Sequence, residues 1–582
     1  LQEIKHYNPS RSCEAMDFVL HCPAVRQIGC ASRVMHRGGD RFMAWIRQGV
    51  VFIVWVAAAA WSHAAWQPLP TARNAIILIP DGCSHATVTL ARWYAGRPLA
   101  VDGILTGSVR THSATGVLTD SAAAATAMAT GFKTAAGALA VTPPPEAPFR
   151  TAGTPPEAWH PLATVLESAR LRGLAVGLVV TASPAEATPA GFAAHAVSRT
   201  ADDAIMMQIV HQGFAVVLGG GRDALLPRAA GGSRRDGADL RAVLRARGYT
   251  VVETREQLAA ARGPRVWGAF AAGDLAPQAD IAETHSGQPS LAEMTLQALV
   301  ILRDAPAGFV LVVEGSLIDG CGHDNDAIGA VTEFLAFDDA VRVALAFAAE
   351  DRHTLVVGCA DHDTGGLTIG RRPPLATAAT RDTLVAPLRQ MRLTARGIEQ
   401  KIGADTSRAT LAAHVRAWWG ITLTPAQADE LDQLVNIQRY RPARAIGDVV
   451  SRHHLAVAWA GFDHTGADVP LWSYGPGRLV GNHDNTAIGR AVAAALRLDL
   501  DAATGELFVD AATLDPRAVI DSGASGGAAL RLGRAVIPFN RDILRLDGRE
   551  HRLGGVVVHI AETGKTYLPR LKPALLKRAL RP

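Results

Sequence analysis

The chain has 582 residues, 48% hydrophobic, 5% aromatic and 19% charged, with a formal net charge of +4. That is enough apolar material for a large buried core, in several domains or one large α/β domain. The basic residues form no long run and aromatic residues are few, which argues against a nucleic-acid-binding surface.

Residues 1–42 begin with Leu1, show no clear periodicity and hold Cys13, Cys22 and Cys30; they read as an upstream extension that is not part of the fold. Residues 43–64 read as a signal peptide: Met43 starts it, Arg47 supplies the positive region, 50–61 is apolar, and Ser62-His63-Ala64 offers small residues before a cut at Ala65. The apolar run is short for a bilayer, so no stable membrane span is expected after cleavage and the mature chain is expected to be periplasmic or secreted. It then keeps Cys83, Cys321 and Cys359, an odd number without CxxC spacing. This excludes complete pairing within one chain and a structural zinc knuckle, and the three read as small buried residues.

Apolar runs at 74–80, 174–180, 215–218, 309–313 and 354–357 read as buried parallel strands. Helix-prone segments such as 161–172 and 290–303 lie between them. The predicted fold is therefore α/β, a three-layer α/β/α sandwich with a mostly parallel central sheet, and its ligands should gather beyond the strands' carboxyl ends. Thr119-Asp120-Ser121-Ala122 opens an alanine-rich helix that Gly131 can close. Ser121 would then sit at a helix N-terminus, where free N–H groups and the helix dipole favour a phosphate and an alkoxide.

Acidic residues and histidines recur just after the strands: Asp81, Glu186 with Thr188, Glu314, and Asp361-His362. Asp319 and His323, four apart, point the same way on a helical turn. Asp463-His464 forms a further cluster. Histidine with carboxylate suits zinc, and an all-oxygen set suits magnesium. Residues from about 370 to 455 read as a helical insertion covering part of the site, with 371–374 a basic, proline-containing surface loop. Residues 65–498 would form the catalytic domain and 499–582 a small β-rich appendage, with strand-like pieces at 507–509, 536–539 and 555–560.

Joined to these clusters, Thr119-Asp120-Ser121-Ala122 resembles the alkaline phosphatases. The resemblance runs from about Asn74 to Ala491 and includes Ala187-Thr188-Pro189-Ala190-Gly191, Ala194-His195, Ser198-Arg199, Leu218-Gly219-Gly220-Gly221-Arg222-Asp223 and Asp484-Asn485-Thr486. It implies hydrolysis of phosphate monoesters through a phosphoserine on Ser121, with inorganic phosphate as product. Arg199 would grip the phosphate oxygens. Asp319, His323 and His464 would hold one zinc, and Asp81, Asp361 and His362 a second. Asp81, Thr188 and Glu314 would hold a magnesium. The family is usually homodimeric. A phosphodiesterase on the same scaffold is the alternative.

Three positions depart from the pattern. Cys83 follows Asp81-Gly82 where methionine is usual, Glu186 stands where relatives have Asp or His, and Gly320 stands where they have Lys or His. An outer carboxylate at Glu186 is expected to hold magnesium-bound water. Gly320 is expected to leave room for solvent beside the phosphate.

Overall fold

The computed structural model describes residues 72–370, 380–523 and 527–581. The expectations for residues 1–64 and for the loop at 371–374 lie outside those residues. A central sheet of ten strands carries the fold. In chain order they are β1 Asn74–Pro80, β2 Leu105–Arg110, β3 Ala175–Val180, β4 Val216–Gly219 and β5 Thr250–Val252. They continue with β6 Val266–Ala269, β7 Phe309–Gly315, β8 Thr354–Cys359, β9 Val469–Tyr474 and β10 Gly481–Asp484. Across the sheet the order is β10-β2-β9-β8-β1-β7-β3-β4-β6-β5. Only β9 runs antiparallel to its neighbours, β2 and β8; every other pairing is parallel.

Continuous burial explains why the middle strands read so plainly. Every residue of β1, β7 and β8 is buried, mostly isoleucine, leucine and valine. Each such side chain removed from water contributes roughly 1.5–3 kcal/mol. Helices Leu291–Leu302 and Ala327–Asp351 form one flanking group; Ser121–Thr130, Val165–Leu171 and Thr486–Leu496 form the other. The result is the expected three-layer α/β/α sandwich. The strands that escaped notice were β2, β5, β6, β9 and β10, which are short, partly exposed or antiparallel.

Five helices between Arg381 and His454 occupy the segment read as an insertion. Beyond 498 the chain first makes another helix, Leu500–Leu507, where a strand was expected to begin at 507. Only then do a three-stranded and a five-stranded antiparallel sheet follow. This β-rich part is fastened to the sandwich by buried polar contacts. Asp542 takes His211 Nδ1 at 2.6 Å and Arg247 Nη1 at 2.8 Å, and Phe508 meets the His195 ring edge-on at 4.6 Å. Among the described residues no helix is long and apolar enough to cross a membrane.

Candidate active site

Four adjacent strands deliver the carboxylates. Asp81 follows β1, Glu314 is the penultimate residue of β7, Asp361 follows β8, and the loop after β3 leads to Glu186 and Thr188. Parallel order places all these ends together, which is why a sheet of this kind gathers its ligands there. The turn after β1 depends on Gly82. Its φ is +69°, and a Cβ there would lie 2.6 Å from Asp319 Cα. The Gly82 N–H donates to Asp361 Oδ1 at 3.0 Å, tying the first and third of these strand ends together.

Ser121 is the first residue of helix Ser121–Thr130 and is buried. Asp120 caps that helix: its Oδ1 accepts from Ala123 N at 3.2 Å and from Gly137 N at 3.0 Å. Its Oδ2 holds Arg199 Nη1 at 3.1 Å, so one carboxylate fixes both the serine's helix and the guanidinium beside it. Gly131 closes the helix in the left-handed region at φ 76°. Arg199 Nη2 stands 3.9 Å from Glu186 Oε2. Burial opposes the charge on Arg199, but Asp120 outweighs it and raises the pKa.

Asp319 and His323 share the short helix Leu317–His323, with His323 Nε2 3.4 Å from Asp319 Oδ2. His464 Nε2 is 3.6 Å from the other oxygen, Oδ1. A two-residue ladder pairs His464 with Thr364 and stacks the His464 ring on His362 at 3.6 Å. His362 Nε2 lies 3.0 Å from Asp361 Oδ2, 4.0 Å from Asp81 Oδ1 and 3.2 Å from Ser121 Oγ. Donor atoms of Asp319, His323 and His464 all lie within 4.8 Å of one another, and so do those of Asp81, Asp319 and His362. Asp319 thus belongs to both groups, while Asp361 adjoins the second through His362.

The outer nitrogens of the three histidines are all engaged. His323 Nδ1 meets Phe462 O at 2.5 Å, His464 Nδ1 meets Thr119 O at 2.9 Å, and His362 Nδ1 meets Thr364 Oγ1 at 3.2 Å. Thr364 Oγ1 donates its own proton to Asp319 at 2.6 Å, so it accepts from His362. Each Nδ1 therefore carries a proton and each Nε2 faces inward, the atom left to bind a metal when the ring is neutral.

Two buried carboxylate oxygens, Asp81 Oδ1 and Glu314 Oε2, have no hydrogen-bond partner, and Asp361 Oδ2 has only His362 Nε2 at 3.0 Å. Buried anions left this way are costly unless a cation meets them. Burial, and after it Asp361 and Asp319, pushes the Asp81 carboxyl well above the carboxylate range. Glu314 rises for the same reason, with Asp361 the next cause. At Asp361 burial is outweighed by His362, which holds the carboxyl low. Thr188 Oγ1 donates to Asp81 Oδ2 at 2.9 Å, completing an all-oxygen corner with Glu314. These donor sets fit metal ions.

Every residue singled out from the sequence for this site lies in or beside it. Cys83, Cys321 and Cys359 are buried, as expected, and unpaired among the described residues. Gly320 lines a cavity of about 180 Å³ beside Ser121, and the room it leaves is shared with a side chain. A Cβ there would lie 2.8 Å from Arg396 Nη2, because the Arg396 guanidinium, from helix Ala395–Ile402, occupies part of that space. Sequence reasoning missed Arg396, which is 76 residues away and inside the insertion, where no motif marks it. It also missed Thr364 and the clamping role of Asp120, although both adjoin residues already chosen.

A profile of the alkaline phosphatase family matches residues 72–498. Alkaline phosphatase 3 of Bacillus subtilis is 33% identical over 448 residues, covering 74% of this chain and 90% of its own length. The streptomycin-6-phosphate phosphatase of Streptomyces griseus is 37% identical over 368 residues, 54% of this chain and 79% of its own. The crystal structure of Thermus thermophilus alkaline phosphatase superposes with a TM-score of 0.66 at 30% identity, over 74% of this chain and 92% of that one. With strand ends, serine and histidines assembled as they are, the chain belongs to the alkaline phosphatase family and is a phosphomonoesterase.

Proposed function

We propose that the enzyme hydrolyses phosphate monoesters in two displacements through a phosphoserine on Ser121. The observation that carries this reading is the set of three inward-facing Nε2 atoms and orphaned carboxylate oxygens around one buried serine hydroxyl. Asp319, His323 and His464 would hold one zinc, and Asp81, Asp361 and His362 a second, since imidazole and carboxylate suit that ion. Asp319, adjoining both groups, would support the second zinc as well. Asp81, Thr188 and Glu314 offer only oxygen and would hold magnesium. When bound, such ions lower the pKa of a hydroxyl or of water and offset charge on the leaving oxygen.

The chain's own groups do the rest. Ser121 Oγ forms a bond to phosphorus as the ester P–O bond breaks, and the ester oxygen departs as the alcohol once protonated. A water oxygen then attacks the phosphoserine, the P–Oγ bond breaks, and inorganic phosphate leaves. Arg199 holds non-bridging oxygens with its fork, pre-aligned by Asp120. The helix N-terminus beneath Ser121 favours the negative charge. Glu186, half-exposed and 3.9 Å from Arg199, would hold water at the magnesium corner.

Export directed by residues 43–64, and a homodimer, complete the proposal. The test compares p-nitrophenyl phosphate with its bis-ester after chelation and after adding back zinc and magnesium. Monoester turnover should dominate, vanish on chelation and return with both metals. Faster turnover of the diester would overturn the substrate assignment.

A further inference from the structure

A second guanidinium enters the cavity at Ser121. The Arg396 Nε donates to Asp324 Oδ2 at 2.7 Å, and Asp324 is itself buried. The Nη2 reaches Gly320 O only at 3.4 Å, and Nη1 makes no hydrogen bond among the described residues. A Cβ on Gly320 would stand 2.8 Å from Nη2 and 2.9 Å from both Cζ and Nη1. Near-equal distances mean that the flat face of the guanidinium lies against the glycine. Any larger residue at 320 would push it away.

Two openings meet at Ser121. The smaller, about 180 Å³, is lined by Ser121, Arg199 and Arg396 together with the oxygen-only corner of Asp81, Thr188 and Glu314. The wider, about 410 Å³, is lined by Leu118, His323 and His464 as well as Ser121 and Arg199, but not by Arg396. At ~30 Å³ per water, the smaller one holds a phosphoryl group and a few waters and little else. The wider one is the roomier side for a leaving group. Arg396 therefore faces the group that is transferred, not the group that departs.

We infer that Arg396 is a second phosphoryl-binding residue, gripping non-bridging oxygens of the ester and of inorganic phosphate alongside Arg199. This rests on the monoesterase reading above. Asp324 fixes the Nε edge, so the two Nη groups are presented without a large ordering cost. Gly320 is the residue that admits them. The cation comes from the insertion rather than from the sheet, so the insertion supplies part of the site as well as covering it.

The test is calorimetric titration of the metal-loaded enzyme with inorganic phosphate, beside its inhibition constant. A charge-assisted hydrogen bond of this kind corresponds to about 10- to 100-fold in affinity. Arg396→Ala should weaken phosphate by that factor and lower kcat/KM equally for esters with neutral and with charged leaving groups. Arg396→Lys should recover part of the loss, as a point charge without the fork. Gly320→Ala should also weaken phosphate, because its Cβ would displace the two Nη groups. A role confined to holding Asp324 would leave phosphate affinity unmoved by Gly320→Ala. Unchanged affinity in Arg396→Ala, or a loss confined to charged leaving groups, would overturn the inference. If wild-type protein itself fails to bind phosphate, the monoesterase reading fails instead.

Discussion

Chelation should destabilise the fold, and by more at about pH 9 than at about pH 6. Without metal, Asp81 Oδ1 and Glu314 Oε2 are buried with no hydrogen-bond partner. Burial and neighbouring carboxylates raise the Asp81 and Glu314 pKa values well above the usual range. The metal-free folded protein therefore holds protons that the unfolded chain has released. Its stability falls as pH climbs from the ordinary carboxylate range through these raised values. Asp361 is shifted the other way, burial being outweighed by His362, and its effect lies at acid pH, outside this window. Bound metal keeps the carboxylates ionised and removes the penalty. Free metal at a hundredfold excess over Kd stabilises by about 2.7 kcal/mol per site, so two sites give roughly 5 kcal/mol. Unfolding entropy of about 2.1 cal/mol/K per residue over some 500 residues converts this to about 5 °C. Scanning calorimetry with and without chelator at both pH values measures it. Equal melting temperatures in all four conditions would refute the reasoning.

Other outcomes follow from single contacts. Burial pushes the Glu333 carboxyl up to about 7 from its ordinary 4.5. Its contribution is full below the lower value and lost as pH rises through the upper one, a change of roughly 3 kcal/mol. Glu333→Gln should therefore gain on wild type in urea melts as pH rises past neutral, whereas parallel pH curves would contradict this. Asp542→Ala strands buried Arg247 and His211, whose partner it is, and should cost about 3 kcal/mol while leaving kcat/KM nearly unchanged; a large kinetic loss in the folded variant would show that the β-rich part supplies a piece of the site. Glu186→His should shift the third metal position toward zinc, read by metal analysis after dialysis; an unchanged zinc-to-magnesium ratio would count against Glu186 as the outer carboxylate. Mass spectrometry of the natural product should find the mature chain beginning near Ala65, and retention of residues 1–42 would overturn the signal-peptide reading.

The sequence revealed what continuous burial and short motifs encode. Strands β1, β7 and β8 are buried end to end with apolar middles, so their carboxyl ends, and Asp81, Glu314 and Asp361 with them, could be placed without a structure. Asp319 and His323 were readable because one helical turn joins them. Polar or short strands such as β10, with residues exposed at one end and half-buried at the other, give no such signal. The same limit hid Arg396. Its position follows from how helix Ala395–Ile402 packs, and only the space above Gly320 betrays it. The missing side chain at Gly320 does border open space, but the fold brings a guanidinium into part of it from elsewhere.

The central claim is that Ser121 carries the phosphoryl group. Metal-loaded enzyme mixed with a monoester, quenched in acid and digested, should yield a phosphorylated peptide containing Ser121. Ser121→Ala should yield none and lose nearly all turnover. Phosphate found on another residue, or wild-type turnover in Ser121→Ala, would contradict the account.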